Sequence, residues 1–171
     1  SYWLCRNFFN IIKINFYQTC MKSIFCSVFT LFTLTVFAQK AVVRTDKSTD
    51  KKVEVTIDGK PFTAYYYPGP DKLKKAVLYP LLTVNGTEIT RGWPVNPRPG
   101  ERVDHPHHVG MWLNYEAANG HDFWNNSLAV NHQKGTYGTI VHTGIKSIKS
   151  GKKQGELTVT ADWLDKNGGL M

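Results

Sequence analysis

Between Glu101 and Ser127 the chain reads ERVDHPHHVGMWLNYEAANGHDFWNNS, a stretch holding four of its six histidines: His105, His107, His108 and His121. Asp104, Glu116 and Asp122 stand among them, with Trp112 and Trp124 close by. Polar groups this dense beside large aromatics cost free energy to bury, so the pattern points to the rim of a ligand pocket. A histidine exchanges protons near neutral pH, and a neighbouring carboxylate fixes its tautomer and raises its basicity. His107 or His108 with Glu116 or Asp104 therefore forms a candidate acid–base pair. Trp112 and Trp124 offer apolar platforms for the C–H faces of sugar rings, and Arg91, Asn114, His121, Asp122 and Asn125 are candidate partners for hydroxyl groups.

A metal is the competing chemistry. His105 and His107 flank Pro106 and point the same way in an extended segment, whereas His108 points opposite to His107 unless the chain bends. Three histidines within four residues readily supply two ligands to a divalent ion, and a third needs a turn or a distant group. Asp104, Glu116, His121, Asp122 and His142 are candidates for that extra ligand. There is no HExxH pattern and no cysteine pair. A cofactor is therefore left open, with His105, His107 and His108 as the ligands if a divalent metal is held. The plainest alternative is that these histidines and tryptophans order a long loop by local hydrogen bonds and packing.

The elements that must position this stretch read as strands. Val53, Val55 and Ile57 alternate with Glu54, Thr56 and Asp58, the period of a half-buried strand. Asp58-Gly59 signals a type I′ turn into a second strand, Phe62 to Tyr67. Ala76 to Val84 is strongly apolar, and Pro80 within it demands a bulge or a sheet edge. Asn85-Gly86 signals another hairpin. Residues 92–106, with Pro94, Pro97, Pro99 and Pro106, form a long irregular loop of the kind that carries function. His108 to Glu116 reads as a strand with Val109, Met111, Leu113 and Tyr115 on one face and His108, Trp112, Asn114 and Glu116 on the other. Two further strands, within residues 135–148 and 157–163, are joined by a turn at Ser150-Gly151-Lys152-Lys153. Closely spaced strands and no long helix predict an all-β, antiparallel β-sandwich.

Composition bounds the rest. Residues 21–38, MKSIFCSVFTLFTLTVFA, have the short basic start, apolar run and small-residue end of a signal peptide. Residues 1–20 make little sense ahead of such a leader and read as upstream translation outside the fold. The remaining 133 residues, 39–171, hold none of the three cysteines, which excludes a disulfide framework, a thiolate metal site and a cysteine nucleophile. They carry 18 of the 21 Lys and Arg and all 13 Asp and Glu, a net charge of 18 − 13 = +5. The lysines are scattered rather than gathered in a stripe, which argues against a nucleic-acid partner. No apolar stretch of the mature part is long enough for a stable membrane span. The closing DKNGGLM reads as a turn into a further strand, so residues 39–171 are expected to be the N-terminal part of a larger domain.

Lys75-Ala-Val-Leu-Tyr-Pro-Leu, Gly86 to Gly92 and DHPHHVGMWLNYEAANGHDFWNNS together resemble a family of exported bacterial proteins labelled "methane oxygenase PmoA". The resemblance covers about Val53 to Met171. The family's block falls on Asp104, His105, His107, His108, Gly110, Trp112, Asn119, Gly120, Asp122, Phe123 and Trp124. The resemblance implies a longer β-supersandwich of galactose-mutarotase-like style and a setting in carbohydrate catabolism. The expectation is a secreted or periplasmic, carbohydrate-active protein, a hydrolase, lyase or epimerase using histidine acid–base chemistry on a carbohydrate or small hydroxylated ligand. A non-catalytic glycan-binding module and a metal-dependent oxygenase are the alternatives.

Overall fold

The computed structural model describes residues 11–17, 41–45 and 51–171. The expected signal peptide lies outside the described residues. Among the described residues seven strands are formed: β1 (Ile11–Tyr17), β2 (Ala41–Thr45), β3 (Lys52–Ile57), β4 (Lys60–Tyr66), β5 (Val77–Leu78), β6 (Thr139–Lys149) and β7 (Gln154–Leu164). No helix among the described residues is long and apolar enough to cross a membrane. The strands make two antiparallel sheets. One runs β2-β3-β4-β5, and the other is the long β6–β7 hairpin with β1 along the far side of β7. Ile11–Tyr17, in a stretch the sequence reading leaves out of the fold, is thus paired over its whole length with residues 154–160.

Local chemistry explains the regular parts. Asp58 and Gly59 have φ of 53° and 74°, the two left-handed residues that a type I′ turn requires, and they join β3 to β4 as expected. In β7, Gly155, Leu157, Val159, Ala161 and Trp163 are buried while their neighbours face outward, a strict alternation. Val43, Val53, Val55, Tyr65 and Leu78 of the four-stranded sheet pack on Leu157 and Val159 of β7 to form the main core. Burying each large side chain of this set stabilises by about 1.5–3 kcal/mol. The sheets come close enough at Gly155 that a Cβ there would stand 2.6 Å from a Val43 methyl.

Two expected strands are not formed as such. The apolar run from Ala76 shrinks to the two residues of β5, because Pro80 has no amide to continue the edge ladder. Val84, at its expected end, is 82% exposed. His108 to Glu116 is not a strand either: only Met111 bridges a strand, exchanging backbone hydrogen bonds with Leu78 at 2.7 and 3.0 Å. That tether needs Gly110, whose φ of 56° turns the chain where a side chain would run into the Leu78 carbonyl. Val109 is buried, but Met111, Leu113 and Tyr115, its expected companions on a core face, are at least half exposed.

Two smaller cores hold the ends of the histidine stretch. Val77, Tyr79 and Val109 form one, with Trp112 packed against it. Ala118, Phe123, Ile140, Ala161 and Trp163 form the other, at the far end of the β6–β7 hairpin. The irregular chain between Val109 and Phe123 is thereby pinned at both ends.

Candidate functional site

Arg91 organises the histidine loop. Its guanidinium donates to the carbonyls of Arg102 (3.2 Å), Asp104 (2.7 Å), His105 (2.8 Å) and His108 (3.1 Å), and to the Asp104 carboxylate (3.1 Å). Its rigid fork of donors suits this convergence of carbonyls. Arg91, a candidate for holding substrate, directs these donors to the loop.

Within that clasp His105 takes a left-handed φ of 46°, and the His108 amide donates to the His105 carbonyl at 2.9 Å. The resulting turn overrides strand alternation and gathers three imidazoles. The His107 and His108 rings meet edge to face at 4.3 Å, and His105 stacks on His108 at 5.1 Å with 16° between planes. His108 lies 5.8 Å from the Trp112 ring, which is 5.5 Å from Trp124 at 53°. The two indoles make a tilted corner rather than one flat platform.

Carboxylates are distributed differently from expectation. Asp104 sits 3.1 Å from His105 Nδ1 and so pairs with His105 rather than with His107 or His108. Partial burial opposes ionisation of Asp104, but His105, Arg102 and Arg91 outweigh it and hold its pKa below the ordinary value. Glu116 is exposed, and among the described residues it makes no hydrogen bond or ion pair with a histidine. The alternating strand that would have brought Glu116 beside His108 is absent. Asn114 donates to the Phe123 carbonyl at 2.8 Å and accepts from the Tyr115 amide, so it shapes the loop. Asp122 accepts from the Asn125 amide and side chain at 2.9 and 2.8 Å. His121 lies in the turn after Ala118, its Nδ1 3.3 Å from the Asn119 carbonyl, and it acts electrostatically on Asp165 rather than joining the cluster. His142 is a paired sheet residue, hydrogen-bonded to the Tyr65 hydroxyl at 3.1 Å.

In the sequence Lys75 stands as the start of an apolar run and not as a site residue, because it reads as one of many scattered lysines. Its position at the head of the most apolar run was the only signal. It is 5% exposed, donates to the Trp124 carbonyl at 2.9 Å and lies 4.9 Å above the Trp112 ring, fixing the indole corner from behind. Burial lowers its pKa to about 8, against the opposing pull of Asp122. Lys75 and His107 both line a cavity of about 570 Å³, whose wall also includes Trp93, Val95 and Val109. Burial, with the positive charge of His108, Lys75 and His105 added, lowers the His107 pKa despite Asp122. His108 is lowered for the same first reason, with His105, Arg91 and Lys75 contributing.

A neutral imidazole facing a cavity, as His107 does, can accept a proton or bind metal. Among the described residues no three His, Cys, Asp or Glu groups converge as a metal site would require. Of the three rings, His105 is already turned to Asp104, whose carboxylate stands 3.1 Å from its Nδ1. The residues therefore do not fit the divalent ion that the histidine spacing left open.

The comparisons with known proteins correct one expectation. The resemblance to the "methane oxygenase PmoA" family is overturned, since a different family's profile matches the chain. No curated protein and no solved structure matches it. The matched segment, residues 52–171, starts with β3 and takes in the whole histidine stretch and the β6–β7 hairpin. The chain belongs to the DUF6807 family, a family of unknown function.

Proposed function

We propose that this is an exported, carbohydrate-active protein that moves a proton on its ligand, with His107 as the transferring group. The observation that carries the reading is that His107 belongs both to the imidazole cluster and to the wall of the 570 Å³ cavity, with its pKa lowered. At neutral pH such a histidine is a ready base, the state a hydrolase, lyase or epimerase needs. His108 packs on it and the Asp104–His105 pair sets the charge behind both. Trp93 in the cavity wall would meet a sugar ring there, and the Trp112–Trp124 corner, outside that wall, offers a second apolar surface. A cavity of this size suits a small ligand. The finer form of the fold, a galactose-mutarotase-like supersandwich, belongs to the same proposal, and the two packed antiparallel sheets are compatible with it.

Incubation of the full chain with a panel of neutral and acidic sugars in D₂O, followed by NMR, tests the reading. Deuterium incorporation at a carbon position or product formation is expected, reduced by about 100-fold or more in His107→Gln. Sugar binding without exchange or turnover would instead make the protein a glycan-binding module, which the half-exposed Trp124 favours as the second reading. Absence of any sugar binding would remove both.

A further inference from the structure

We propose that the ligand of this site is an acidic sugar, bearing a carboxylate for which the Lys75 ammonium is the counter-ion; the inference rests on the carbohydrate reading above. Lys75 is 95% buried by its 5% exposure, yet it stands in the walls of two cavities, the 570 Å³ one and a second of about 320 Å³ lined also by Tyr67 and His142. An ammonium has three N–H donors, and among the described residues only the Trp124 carbonyl accepts one. The Trp112 ring faces the charge but takes no hydrogen bond from it. Asp122 is the acidic group that acts on Lys75, but among the described residues it stands beyond ion-pair distance of the ammonium and accepts from the Asn125 amide and side chain instead. Lys75 is thus a buried cation without an ion partner, a costly arrangement unless something else supplies the negative charge.

The cavity wall repeats that bias. Lys72 and Lys74 line it beside Lys75 and His107, and Asp71 is the only carboxylate among the described residues there. Three lysines against one aspartate favour an anion and disfavour a cationic ligand. The remaining wall is largely apolar, with Trp93, Val95 and Val109, which suits a compact ring more than a fully hydrated inorganic ion. A sugar acid answers both halves of the surface: its carboxylate completes Lys75, and its ring meets the apolar wall.

Isothermal titration of the full chain with glucuronate, glucose and acetate separates the outcomes. Glucuronate is expected to bind about tenfold or more tighter than glucose, the preference lost in Lys75→Met and kept in Lys75→Arg. If Lys75→Met fails to fold by circular dichroism, the wild-type ratio and Lys75→Arg carry the test. Equal affinity for glucose and glucuronate, or a preference that survives in folded Lys75→Met, overturns the inference and leaves the carbohydrate reading standing. Acetate binding as tightly as glucuronate also overturns it, in favour of a simple anion site. Binding of neither sugar overturns both.

Discussion

At the scale of single residues, the site depends on a few groups whose tasks differ from those their types suggest. Arg91 is a positioning residue: four carbonyls and one carboxylate of the loop converge on its guanidinium. A lysine in its place keeps the charge but cannot present the planar fork. Arg91→Lys is therefore expected to keep the strand content by circular dichroism while shifting the imidazole resonances of His105 and His108. Any turnover found should fall by about 100-fold, as displaced catalytic groups commonly cause. Unchanged imidazole resonances in the variant would show that the loop does not need Arg91. Lys75 works in the same indirect sense on Trp112 and Trp124, and its unspent donors are what leave a part for a ligand.

At the scale of elements, the long loop ahead of the histidines is held by its own clasp. The Glu101 carboxylate accepts from the amides of Gly92, Trp93 and Arg98 and from Arg98 Nε, closing residues 92–101 into a ring. Those bonds, led by the Gly92 amide, lower the Glu101 pKa from 4.5 to about 2. A depressed carboxylate stabilises the folded form fully above its ordinary pKa and loses that contribution as pH falls through the folded value. Thermal stability should accordingly show a Glu101-dependent decline between about pH 4.5 and pH 2. Glu101→Gln should melt lower than wild type at pH 7, and the two melting temperatures should converge over that acid range. A constant difference between them down to pH 2 would mean that the clasp is not ionic. The loop is irregular because its prolines remove donors, and it is ordered because one carboxylate replaces the missing ladder.

At the scale of the whole molecule, stability lies between the sheets and the candidate site lies at their edge. Leu157 is fully buried where β7 meets β2, β3 and β4. Leu157→Ala should cost about 2–5 kcal/mol in urea unfolding, since it leaves a cavity between two packed layers. Val84, 82% exposed beyond the short β5, should tolerate Val84→Ala within about 0.5 kcal/mol. A small loss at Leu157 would mean that the two sheets do not share one core. The histidine stretch is fastened to this frame through the Met111–Leu78 backbone bonds, the packing of Val109, Trp112, Ala118 and Phe123, and the Lys75 bond to Trp124, while His107 and Val109 near its start line the cavity.

The sequence by itself determined the all-β class, the β3–β4 hairpin with its Asp58-Gly59 turn, the alternating β7 and the stretch where polar and aromatic groups crowd together. Those features are local: a two-residue period, a pair of left-handed turn residues and a density of polar groups are written in neighbouring positions. Only the tertiary structure decided which side chains meet. The expected strand from His108 to Glu116 gave way because Gly110 and the Arg91 clasp bend the chain, so His107 joins His108 and Glu116 is left outside. Lys75 entered the site from 32 residues upstream of His107 because β5 runs beneath the loop. Alternation along a strand can be read from residue types, but burial of a lysine beside a distant histidine is set by long-range packing that local spacing does not encode.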